Sequence, residues 1–113
     1  MHQLYSVHDL ERLNLLEASS KILSFETILE IRRQEDIVPH GYVIMDRWAA
    51  QQPDELKQLE SESFLHLFNH VYTQQKKELD VLLNPLMVNA ESHLTTHERL
   101  ALHEIDLRLI RRF

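Results

Sequence analysis

An all-α fold, a compact bundle of four to six helices, is what three features of this chain predict. The 113 residues include one glycine and three prolines, little material for hairpins or sheets. Phe64 to Leu83 repeats its apolar residues with a helical period. Helix caps and stops at Ser24, Pro53, Asn84–Pro85 and Thr95 punctuate the rest. At 43% hydrophobic and 27% charged, the chain has the balance of a folded protein, and its length suits one helical domain over 1–113.

In chain order, Ser6 and Asp9 resemble a capping pair, and a helix is expected from Val7 towards Ser19 or Ser20. Ile22, Phe25, Ile28 and Leu29 form a second apolar set that does not align with the first. A break between Ser19 and Ser24 follows, with Ser24 capping a new helix; one long helix over 7–34 is the alternative. Arg32 and Arg33 suit its C-terminal end. The stretch 34–41 is a connection, where Pro39 disfavours helix at Val38 and Gly41 is free to take positive φ. Tyr42 to Gln52 follows; its first residues could pass for a strand, but Asp46–Arg47 and the alanines favour a helix.

Pro53, Asp54 and Glu55 open the next helix. Leu59 lies off the stripe that follows, which puts an irregularity near Ser61 to Ser63. The central amphipathic helix, about 63–83, carries Phe64, Leu67, Phe68, Val71, Tyr72, Leu79 and Leu82 on one side, with His66, Asn69, His70 and Thr73 opposite. Gln75 and Glu78 interrupt its stripe, so that end must meet solvent or a polar partner. Asn84–Pro85 stops it, and 86–94 reads as a short turn of helix or a loop. Thr95 with Glu98 is a capping box for a last helix, 96–112, closed by Arg108, Arg111 and Arg112.

The absence of cysteine excludes a disulfide framework, a thiol nucleophile and a thiolate metal site. No apolar run approaches the roughly 18 residues of a membrane span, and Met1 to Asp9 lacks the pattern of a secretory leader. The expectation is a cytoplasmic protein with no membrane partner. The formal charge of −6 sits mainly in residues 1–60, with 11 acidic and 6 basic side chains, which disfavours nucleic acid.

Among candidate sites, His66 and His70 stand at i and i+4 on the face expected to reach solvent, a spacing that lets two imidazoles share one ion. No third or fourth ligand is obvious. His93 and His97 share the spacing, but Thr95 as a cap would divide them. His103, Glu104 and Asp106 bring acid–base groups close in sequence but point in different directions on a helix. Trp48, with Tyr42, Val43 and Met45, is core or an interface anchor. Leu100, Leu107 and Ile110 form a second apolar line on the last helix, which suggests a two-fold homodimer unless the N-terminal helices cover it.

Glu78-Leu79-Asp80, Pro85, Leu94 and Glu98 resemble in spacing the small helical flavin-assembly factors of succinate dehydrogenase, over about residues 78–99. That family's Arg-Gly-x-x-Glu signature would put its Arg-Gly pair on Gln74 and Gln75 here. Its functional residues are therefore absent, and no function is carried over. With no nucleophile–base pair and no cofactor-binding loop, the sequence points to a non-enzymatic interaction module: an adaptor, inhibitor or antitoxin-like partner of another protein. The alternatives are a metal-binding bundle using His66 and His70 and, third, a DNA-binding regulator using the last helix.

Overall fold

The computed structural model describes residues 15–110, and among them the chain is helical with no strand. Among the described residues there are seven helices, the expected all-α bundle with two of its segments folded as short pieces. They are α1 (Glu17–Ile22), α2 (Phe25–Arg33), α3 (Pro39–Gln51), α4 (Pro53–Glu62), α5 (Phe64–Leu82), α6 (Pro85–Val88) and α7 (Thr96–Leu102). Helix α5 is the centre: α3, α4 and α7 pack against it, and α1 lies on α3. No helix among the described residues is long and apolar enough to cross a membrane.

The break expected between Ser19 and Ser24 is present, and carboxylates from distant helices secure both its sides. Asp46 of α3 accepts from the amides of Leu16 (2.7 Å) and Ser19 (3.0 Å) and from the Ser19 hydroxyl (2.7 Å). It thereby caps the free amides at the start of α1, where Leu16 takes a left-handed φ of 71°. Ser24 caps α2 through the Thr27 amide, and its own amide donates to Glu60 of α4 at 2.8 Å. Burial raises the Glu60 pKa, but hydrogen bonds from Lys57, Thr27 and Ser24 outweigh it and hold the carboxyl below its usual range. Most of the helix expected from Val7 lies outside the described residues.

Helix α3 begins three residues earlier than the reading of 42–52. Proline at the first helical position loses no hydrogen bond there, so Pro39 starts the helix while Val38 stays extended as its cap. Gly41 consequently sits inside the helix, without positive φ. Its missing side chain serves a different need. A Cβ there would collide with Gln75 Oε1 and meet Ile37 Cγ2 at 2.7 Å.

Ser63, fully extended at φ −179°, separates α4 from α5 where the Leu59 mismatch predicts an irregularity, and caps α5 through the His66 amide at 3.0 Å. Asn84–Pro85 ends α5, and α6 is a single turn capped by Asn84. Thr95 and Glu98 form the expected capping box, each side chain accepting the other's amide at 3.1 and 2.8 Å. The helix it starts ends at Leu102 rather than 112. Residues 103–110 turn away and run without regular structure across α3 and α5.

Candidate functional site

The inner face of α5 is polar in its second half. Glu78 is completely buried, and Gln74 and Gln75 nearly so. Arg47 of α3 holds the Glu78 carboxylate with both terminal nitrogens, at 2.5 Å to Oε2 and 3.4 Å to Oε1. His40 Nε2 donates to Oε1 at 2.8 Å, and Gln74 Nε2 to Oε2 at 2.8 Å. Burial pushes the Glu78 carboxyl up, but the bonds from His40, Arg47 and Gln74 and the Arg47 charge overcome it and bring the pKa down to about 2. One turn earlier, Gln75 donates to Asp36 O at 2.7 Å and accepts from the Val38 amide at 3.0 Å, filling the space that Gly41 leaves open. The interruption in the apolar stripe is thus the seam that locks α3 to α5.

The same seam binds the C-terminal segment by its main chain. Arg47 Nε and Trp48 Nε1 both donate to Leu107 O, at 3.1 and 3.0 Å. Gln74 Nε2 reaches Asp106 O at 2.8 Å, and Gln52 brackets Leu109, donating to its carbonyl at 3.0 Å and accepting its amide at 2.8 Å. The Leu109 side chain enters the core beside them. Arg108 folds back on Asp106 with backbone and guanidinium bonds of 2.9 to 3.1 Å, which bring the Asp106 carboxyl to about 2. Between this segment and α5 lies a half-open cleft of about 480 Å³, walled by Trp48, His70, Gln74, Lys77 and Ile105.

A smaller ion cluster secures the end of α5. Glu91 takes His103 Nε2 at 2.8 Å and Arg99 Nε at 3.2 Å, and Arg99 caps the free carbonyls of Val81 and Leu82 at 3.2 and 3.3 Å. The His103 bond first, then Arg99, holds the Glu91 carboxyl below the usual range.

The outer flank of α5 is the opposite of its inner face. Phe64, Phe68 and Tyr72 stack as a ladder, with ring centroids 6.3 and 5.9 Å apart. Phe64 and Phe68 reach the core, yet Tyr72 is 39% exposed and Leu65, two turns earlier, 63%. Leu79, half-buried, and Leu83, 68% exposed, continue this flank two turns on.

The sequence candidates fall differently from expectation. His66 is exposed, its Nδ1 2.6 Å from Ser63 Oγ. His70, expected in water beside it, is turned inward at 8% exposure, and its Nδ1 donates to the His66 carbonyl at 2.8 Å. The buried arc of α5 passes through Leu67, Val71, Gln74 and Glu78, rotated away from the aromatic residues, and this carries His70 to its edge. Among the described residues, no three His, Asp or Glu side chains gather as a metal cage. Trp48 and Leu100 are core, Tyr42 is half-buried beneath the Arg32 guanidinium at 5.8 Å, and Leu107 is half-buried. Ile110 alone of the expected interaction residues is well exposed. Because the last helix stops at Leu102, Leu100, Leu107 and Ile110 do not share a helical line; Arg111 and Arg112 lie outside the described residues.

No protein-family model, curated protein or solved structure matches this chain. Glu78, which begins the resemblance over 78–99, is consumed in the buried seam, and Gln74 and Gln75, where the Arg-Gly pair would fall, hold main-chain groups.

Proposed function

We propose that this chain is a non-enzymatic protein-interaction module, an adaptor, inhibitor or antitoxin-like partner acting in the cytoplasm, and that the outer flank of α5 is its docking face. The observation that carries this reading is Tyr72, the outer end of the aromatic ladder, with Leu65 and Leu83, large apolar side chains left at the surface along one flank. Aromatic rings anchor interfaces because they bury much area at little entropic cost, and contiguous exposed apolar surface marks docking sites. The fitting partner lays an apolar helical stripe on this flank. With acids outnumbering bases 11 to 6 in residues 1–60, a basic rim on that partner adds steering and specificity.

The test is capture from source lysate at moderate salt by the full chain, by Leu65→Glu and by Tyr72→Glu, with helical content checked by circular dichroism. The expected result is a protein captured by the wild type and lost from both folded variants. Capture of nothing by the wild type, or undiminished capture by both variants, contradicts the proposal.

A further inference from the structure

The turn joining α7 to the C-terminal segment is made by a residue ill suited to it. The Glu104 amide donates to Ala101 O at 3.0 Å and the Ile105 amide to Leu100 O at 2.9 Å, a paired closure of the helix end that requires a left-handed residue between them. That residue is Glu104, at φ 60°. Glycine takes this conformation freely; an L side chain is strained in it. The sequence favours the opposite geometry, because Leu102, Ile105 and Leu109 continue the period of α7 through His103 and Glu104.

Beyond that turn, the α3–α5 groove grips the segment through main-chain carbonyls of Asp106, Leu107 and Leu109, one main-chain amide and one leucine pocket. These contacts demand only that the same short segment arrive in the same local shape, with Arg108 turned back on Asp106. They are indifferent to which copy of the chain supplies it. We propose that residues 105–110 exchange between two copies, each laying its segment in the other's α3–α5 groove, with the hinge at His103–Glu104 straightened. The exchanged pair keeps every groove contact and sheds the left-handed strain at both hinges, the combination that favours swapping. The cleft beneath the segment leaves its inner side incompletely packed, which eases its withdrawal.

The experiment is light scattering on the full chain from low to high micromolar, for the wild type and for Glu104→Gly, Glu104→Ile and Tyr72→Glu. Glycine removes the strain from the closed monomer at two hinges per dimer, each about fivefold, so dimerisation weakens by about 25-fold. Isoleucine, β-branched and worse in the left-handed region, strengthens it. Tyr72→Glu, on the opposite flank of α5, leaves it unchanged. A strict monomer for both the wild type and Glu104→Ile overturns the exchange. So does a dimer indifferent to residue 104, and one lost in Tyr72→Glu instead assigns self-association to the aromatic flank.

Discussion

The two flanks of α5 invert the usual arrangement of an amphipathic helix. In its second half the inward flank carries Gln74, Gln75 and Glu78, while the outward flank carries Tyr72, Leu79 and Leu83. The inward polar groups are tolerated because each is matched: Glu78 by Arg47, His40 and Gln74, and Gln75 by Asp36 and Val38. On the outward flank Tyr72, Leu65 and Leu83 stay exposed. The contrast teaches that the polar flank is what the fold depends on and the apolar flank is what remains available.

The largest effect expected from breaking this contrast is on the seam. Glu78→Gln removes the counter-charge from Arg47, itself mostly buried, and should cost about 3 to 5 kcal/mol in urea denaturation at neutral pH. Acid sharpens the same point without a mutation. Glu78 titrates near 2 in the folded chain and near 4.5 unfolded, so the unfolded chain binds its proton more readily. Its contribution, about 3 kcal/mol, is complete above pH 4.5 and lost as pH falls towards 2. Urea midpoints measured across that window should fall with pH in the wild type, and less in Glu78→Gln. A smaller loss, about 1 to 3 kcal/mol, is expected from Gly41→Ala, whose methyl displaces Gln75 from Val38 and Asp36. Thermal melts will show whether that cost is paid.

Much of the fold was legible because its signals are local. Ser24, Asn84 and the Thr95–Glu98 box act on backbone groups within three residues, and each stands where the pattern indicates, whereas near Ser61 to Ser63 the pattern indicates only an irregularity and the cap made by Ser63 is new. What was not legible depends on distant partners. Helix α7 ends at Leu102 although its period runs on, because Arg47, Trp48, Gln52 and Gln74 capture the main chain beyond it and force Glu104 left-handed. Gly41 signals a turn in sequence, yet what it permits is the close approach of Gln75, which is 34 positions away. The polar interruption at Gln75 and Glu78 was the one readable sign of the seam, but neither Arg47 nor His40 could be assigned to it without the packing of α3. His70 was misplaced because the largest apolar residues set the assumed stripe, whereas the buried arc follows Leu67, Val71 and the polar pair.

The most direct test of the inverted helix is to unfold Glu78→Gln and Tyr72→Glu side by side in urea at neutral pH. The seam should fail and the flank should not: a loss of about 3 to 5 kcal/mol for the first, and within about 1 kcal/mol of wild type for the second. A Tyr72→Glu protein as damaged as Glu78→Gln, or a Glu78→Gln protein as stable as wild type, would contradict the account.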